Sequence, residues 1–260
     1  MTVAEPADAQ AEHDAAILGY CNHLEGERLI PSGANLRFYT QRLFGQPTLS
    51  GLRVLDIGAG NGIFSCYAAA AGASQVVALE PEAAGSHNQM LDGFQALLDR
   101  LEFRQVRLVP TTFQAYQPGS ETFDLILLHH SINHLDEEAC IHLLERPECR
   151  ATYLSLAARL ASLLHDNGRI IMADCARSNL FPDLGLSNPI ARDIEWHKHQ
   201  DPDVWASLFA EVGFGHPKVQ WTFFNTFREI GTLLFGNKLT AYLTISHFIL
   251  SLTKLPRNHS

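Results

Sequence analysis

The sequence lacks a long apolar run, a basic cluster and any paired cysteines, and each absence removes a class of function. The apolar stretch near the carboxyl end, Tyr242 to Leu252, contains His247 and falls short of the ~20 residues that cross a bilayer, so it is expected to be a strand and no membrane partner is expected. The start, MTVAEPADAQ, has no basic segment followed by an apolar one, which argues against a secretion signal. About the first ten residues are expected to be mobile. Five cysteines, Cys21, Cys66, Cys140, Cys149 and Cys175, form no C-x-x-C pair and no framework spacing. They read as reduced thiols of a cytoplasmic protein. The net charge of −9 arises from 19 basic and 28 acidic residues with no basic patch in the sequence. The electrostatic footprint of a nucleic-acid partner is therefore missing. Neither H-E-x-x-H nor a Cys/His zinc spacing occurs, so no metal is expected even though His130, His134, His197 and His199 could converge.

What is present begins with VLDIGAGNGIFS, residues 54–65. Val54, Leu55 and Ile57 read as the apolar end of a parallel strand, and Gly58, Gly60 and Gly62 let the backbone turn sharply beside a ligand. A helix is expected over Ile63 to Ala71. Its first free amides and dipole favour a negatively charged ligand group. The dinucleotide fingerprint G-x-G-x-x-G needs a third glycine where this chain has Ile63, so the pattern is G-x-G-x-G instead. Asp56, two positions before the first glycine, offers a carboxylate to an ammonium. A ligand with an amino-acid end satisfies both groups.

These residues resemble the class I S-adenosylmethionine-dependent methyltransferase family. The resemblance continues through QVVALE, residues 75–80, whose Glu80 stands 22 positions after Gly58, where the family places an acid that binds the ribose hydroxyls. It implies a cofactor site of Asp56, Gly58, Gly60, Asn61, Gly62, Glu80 and Pro81, with Pro81 beside the adenine. A third strand, Val106 to Val109, leads to Thr112 and Phe113 at the adenine edge, where many members have Asp. FDLILLH, residues 123–129, and GRIIMAD, residues 168–174, supply the fourth and fifth strands, and His129 is expected to meet the cofactor through its backbone. In all, about 120 residues, from Leu52 to Asp174, carry the likeness.

The implied fold is α/β: a Rossmann-like, seven-stranded, mostly parallel sheet with helices on both faces and an antiparallel last strand, plus an N-terminal helical cap. With 260 residues and 46% hydrophobic content, one such core can form. Residues 1–45 read as the cap, broken at Pro31-Ser32-Gly33, with Arg37, Phe38 and Tyr39 as lid candidates or core supports. Gly45 to Ser50 is the boundary, and 46–260 is the methyltransferase domain. Pro81 and the stripe Met90, Leu91, Phe94, Leu97, Leu98 and Leu101 predict a crossover helix whose stripe is core. Asp136 to Leu164 is helical with a break at Pro147. Residues 175–200 form an insert that shapes the acceptor pocket. Asp201 to Val212 predicts a helix with Asp201 as its N-cap, Pro202 in its first turn and Gly213 at its end. Strands are expected near Lys218 to Phe224 and Ala241 to Ser251, with a helix over Asn225 to Asn237.

Methyl transfer requires an acceptor placed ~3–3.5 Å from the methyl carbon, and a hydroxyl acceptor also requires a base. In open α/β sheets the reacting groups gather beyond the carboxyl ends of the strands. Here those loops are HHSINHLDEE and IEWHKHQ, rich in imidazole, the side chain most easily poised near neutral pH. The candidate catalytic residues are His130 and His134, then His199 and Glu195, with structural hydrogen bonding as the competing reading for each. Asp174 could orient a base or cap a helix. The N/D-P-P-Y/F motif of base aminomethylation is absent after the fourth strand, and Phe181, Trp196 and Trp205 suit a small, partly apolar acceptor, although Trp205 also fits a core stripe with Leu208 and Val212. The expectation is O-methylation of a metabolite by a cytoplasmic enzyme, for which a homodimer is one compatible assembly. N- or C-methylation, a non-methylating cofactor-binding protein and a nicotinamide-dependent oxidoreductase are the alternatives.

Overall fold

The computed structural model describes residues 7–45, 48–81 and 89–256. The segment expected to be mobile lies outside the described residues through position 6, as do two positions of the expected boundary, 46 and 47, and 82–88 after Pro81. The chain divides into two compact units, Met1–Thr111 and Thr112–Ser260.

In the first unit, α1 (Ala7–Gly26) and α2 (Gly33–Phe44) are separated at the expected break. Ser32 caps α2 by accepting from Asn35 N at 3.3 Å, and a Cβ on Gly33 would lie 2.6 Å from Cys21 O, so glycine lets the two helices approach. Three strands follow, β1 (Arg53–Ile57), β2 (Gln75–Leu79) and β3 (Val106–Val109), in the spatial order β3-β2-β1 and parallel in register. The two crossovers are α3 (Ile63–Ala70) and α4 (Gln89–Leu101). Val54, Leu55, Val76 and Val77 are wholly buried, as continuous apolar strands covered on both faces must be. Along α4, Phe94, Leu97 and Leu98 are buried, whereas Met90 at the first turn is exposed.

In the second unit, β4 (Phe123–His129) and β5 (Leu164–Cys175) are parallel. Between them lie α5 (Glu137–Ile141), capped by Asp136 accepting from Ala139 N at 2.9 Å, and α6 (Pro147–Leu163). Pro147 occupies the first turn of α6, where its missing N–H costs nothing. After β5 come α7 (Leu180–Asp183), α8 (Pro202–Ala210), β6 (Phe214–Trp221), α9 (Arg228–Phe235), α10 (Lys238–Tyr242) and β7 (His247–Lys254). The spatial order is β4-β5-β7-β6, and β7 is antiparallel to both neighbours. The seven strands thus make a mostly parallel Rossmann-like sheet with an antiparallel last strand.

Several boundaries differ from expectation for local reasons. β6 starts at Phe214, four residues early, and its register shifts between Gly215 and Lys218 around His216, whose φ is +52, and Pro217, which has no N–H to give the ladder. β7 starts late because Ala241 and Tyr242 belong to α10, and the chain then turns through Ser246 at φ +48. β5 begins at Leu164 rather than Gly168, with Asn167 at φ +65 beside the bulge against β4. Asp201 holds the N-cap position of α8 but makes no cap bond: its carboxylate accepts from Ser178 N at 3.0 Å and Ser178 Oγ at 2.5 Å. Among the described residues no helix is long and apolar enough to cross a membrane.

Candidate active site

After β1 the chain turns through Gly58, Gly60 and Gly62 at φ +73, +56 and +79, and α3 begins with no side-chain cap. Gly58 N and Ala59 N both donate to Leu79 O, at 2.8 and 3.0 Å, which fastens the turn to the end of β2. A Cβ on Gly62 would stand 2.2 Å from the Phe94 ring, so the third glycine serves helix packing as well as the turn. Asn61 is exposed at the tip, and Pro81 follows Glu80 half-buried.

Two carboxylates face this turn. Glu80 Oε2 accepts from Gly60 N at 2.7 Å, and burial pushes its carboxyl up despite that bond. Asp56 is buried: Oδ2 accepts from Ser65 Oγ at 2.6 Å, while Oδ1 has no partner. Burial drives its pKa to about 7, opposed by the Ser65 bond and aided by the charge of Glu80. An orphaned buried carboxylate oxygen is costly, and a cationic donor relieves that cost. The residues present therefore fit a ligand that has an ammonium group.

In the second unit, Thr112 accepts from Ala115 N through Oγ1 at 3.2 Å, and Phe113 is buried beneath the Arg159 guanidinium, 4.8 Å from the ring centroid. β4 delivers His129 and His130, and His130 N donates to Ala173 O at 2.8 Å, although its φ is +51. β5 ends with Asp174, fully buried. Its Oδ1 lies 3.1 Å from His199 Nδ1 and 3.4 Å from His130 Nδ1, and also accepts from Cys175 N at 2.8 Å, while Oδ2 has no partner. Burial alone would raise the Asp174 pKa, but hydrogen bonds from His130 and His199 hold it well below the usual carboxylate range. Burial, then the neighbouring His130 and His247, push His129 well below the ordinary histidine value, so it is neutral near pH 7.

The structure thus joins His130 and His199, 69 positions apart in the sequence, on one carboxylate. The other two candidates lie elsewhere in the hydrogen-bond pattern. His134 pairs through Nδ1 with Glu137 at 2.6 Å, and Glu195 pairs with Lys198 at 2.8 Å; Lys198 also reaches Glu137 at 3.2 Å. Sequence reasoning passed over His247, whose ring lies 5.1 Å from His130 and whose Nδ1 is 2.5 Å from Thr222 Oγ1. A lone imidazole in the apolar run TISHFIL was the available signal. Of the aromatic candidates, Trp205 is core, fully buried against Tyr153 at 5.1 Å, whereas Trp196 is buried in the insert and Phe181 is half-buried. Among the described residues no group of three or more His, Cys, Asp or Glu side chains could hold a metal ion.

The model of a family described as a methyltransferase domain matches residues 33–215. The chain belongs to that methyltransferase family. It is a class I enzyme, and S-adenosylmethionine is its methyl donor. Solved structures that resemble this methyltransferase include an S-adenosylmethionine-dependent methyltransferase from Mesorhizobium loti, with 15% identity, a TM-score of 0.57 and coverage of 83% of this chain and 96% of that one. The pyocyanin biosynthetic protein PhzM gives 17% identity and a TM-score of 0.53 over 84% of this chain and 53% of its own. The mitomycin 7-O-methyltransferase MmcR gives 13% and 0.53 over 86% and 55%. At these identities the likeness is one of fold, and the chain spans about half the length of the last two. No curated protein sequence matches the methyltransferase.

Proposed function

We propose that the methyltransferase acts on a hydroxyl oxygen of a small, partly apolar molecule, with His130 as the general base. The observation that carries this reading is the buried Asp174 carboxylate between two imidazole Nδ1 atoms. A carboxylate that accepts from Nδ1–H fixes the tautomer and leaves Nε2 with a free lone pair. The His130 side chain is 46% exposed and open to an acceptor, whereas that of His199, at 13%, is closed in and positions Asp174. The glycine turn and Asp56, whose Oδ1 has no partner, would hold the amino-acid end of the cofactor, and Glu80 would take the ribose.

The bound cofactor supplies an electrophilic methyl group on sulfonium sulfur. With the cofactor bound to supply the methyl group, His130 Nε2 would take the proton that the acceptor's hydroxyl gives up on methylation. Asp174, already ionised, stabilises the resulting imidazolium. The net charge of −9 and the missing basic patch in the sequence favour a small acceptor over a polyanion. The fold also serves an enzyme named for 7-O-methylation of mitomycin.

The test is S-adenosylhomocysteine release against a panel of phenols and aliphatic alcohols, for wild type and His130→Ala. Release that needs a hydroxyl acceptor and His130 supports the reading. Release with amines alone, or unchanged turnover without His130, overturns it.

A further inference from the structure

Between β6 and β7 the chain leaves apolar side chains uncovered in one concentrated stretch. Of the sixteen large apolar residues exposed among the described residues, seven fall within positions 224–243, a density that singly scattered surface side chains do not give. The stretch is nonetheless built. The Phe223 ring packs on those of Phe224, Phe227 and Phe235 with centroids 4.8, 5.9 and 4.7 Å away. Gly231 is buried, and a Cβ on it would meet Phe227 Cβ at 2.6 Å.

The spacing in α9 puts Ile230, Leu233 and Leu234 on one side, in line with the half-open Phe227 before them. That side is bare, with Ile230 at 70% and Leu233 at 84% exposure. α10 adds Leu239 and Leu243, four positions apart and both exposed. The Thr240 hydroxyl donates to Phe235 O, which ties the start of α10 to the end of α9. Apolar helix faces of this kind are ordinarily covered.

We propose that a second copy of the chain covers this face, so that the methyltransferase is a two-fold dimer joined through α9 and α10. Area and charge select that occupant. The exposed fractions across 224–243 amount to roughly 600–800 Å² of apolar surface. A stable interface takes ~800 Å² from each partner, a little over half of it apolar, so the patch meets the demand. The chain as a whole carries −9, and two copies therefore repel wherever acidic residues abound. Positions 224–243 hold only Arg228, Glu229 and Lys238 as charged residues, two basic and one acidic, for a net of +1. Here two acidic copies can approach. An apolar face is also complementary to itself, as a two-fold interface requires. A bilayer fits less well, because interfacial helices are rich in Lys and Arg, whereas α9 has one Arg beside one Glu.

The experiment is sedimentation equilibrium of the full chain with S-adenosylhomocysteine, from about 1 to 100 μM, the weak end of the affinity range for interfaces of this size. The expected result is a species of twice the chain mass. Leu233→Glu and Leu239→Glu, both at exposed positions, should each raise the dimer dissociation constant about thirtyfold or more. Leu144→Glu, equally exposed but between α5 and α6, should leave it unchanged. Amide hydrogen exchange on the unaltered chain gives a reading that no variant can distort: protection gained on concentration should fall within 224–243. A chain that is still monomeric at about 100 μM overturns the proposal. So does a dimer that keeps its affinity in both patch variants, or one whose added protection lies elsewhere. A monomer that sediments with phosphatidylcholine vesicles overturns it in favour of a bilayer.

Discussion

Asp174 Oδ1 lies 3.1 Å from His199 Nδ1, and this pair fastens the insert to the carboxyl end of β5. The contact sets the chemistry of the whole edge, because the same oxygen also faces His130. A buried carboxylate held ionised by two imidazoles is prepared to stabilise a cation that forms on either.

Replacing His130 by Ala is expected to lower kcat by 10²–10⁴, the usual range for loss of a general base, with S-adenosylmethionine affinity unchanged in calorimetry. His134→Ala is the control. Its ring is committed to Glu137 and should change kcat by less than about threefold. Equal losses in both variants would remove His130 from its role.

Asp174→Asn should act through the pH profile as well as the rate. Because the Asp174 pKa is depressed in the folded state, the carboxylate stays charged throughout the assay range and its stabilising contribution is lost only on strong acidification. Without that charge, the imidazolium of the reaction loses its anionic partner. The acid limb of kcat/KM is then expected to move to lower pH while kcat falls ~10²-fold or more. A limb that stays in place would show that Asp174 serves structure alone.

Asp56 gives a prediction of opposite sign. With its pKa raised to about 7, the folded, cofactor-free protein holds a proton that the unfolded chain releases near pH 4. Stability from this group is full below about pH 4, falls as pH rises, and is gone above about 7. Asp56→Asn should therefore flatten the decline of Tm between pH 5 and 8 and raise the cofactor-free Tm at pH 8 by roughly 5 °C. It should also weaken S-adenosylmethionine at least tenfold. Parallel pH curves for the two proteins would contradict the assignment.

Gly62→Ala combines a φ of +79 with a Cβ only 2.2 Å from the Phe94 ring. The expected cost is about 2–4 kcal/mol in denaturant unfolding, from left-handed strain plus overpacking. Gly119→Ala, at φ +60 but with open space around it, isolates the backbone contribution and should cost ~1–2 kcal/mol. Equal costs at the two positions would mean that Phe94 moves freely.

Much of the first unit was legible because its information is local. The run from Val54 to Ser65 specifies a buried strand, three positive-φ glycines and a helix start within a few residues, and the structure reproduces each of them. Glu80 was singled out through the family resemblance, and the structure sets its Oε2 2.7 Å from Gly60 N in the turn. The second unit was less legible. Phe214 to Pro217 carries a strand whose register breaks at a proline, and Ala241 and Tyr242 look like strand but end a helix capped by Asn237. In both places a capping bond or a ladder shift outweighed intrinsic propensity.

The sequence by itself determined the glycine turn, the acids at positions 56 and 80, the strand set and the abundance of imidazole, because these depend on backbone sterics and on neighbours close in the chain. Only the tertiary structure decided that His130 and His199 meet on Asp174, that His134 turns to Glu137, that Trp205 belongs to the core and that α9 keeps an uncovered face. Those outcomes depend on which side chains a folded chain brings within a few ångströms across long stretches of sequence. Composition and periodicity do not encode that distance.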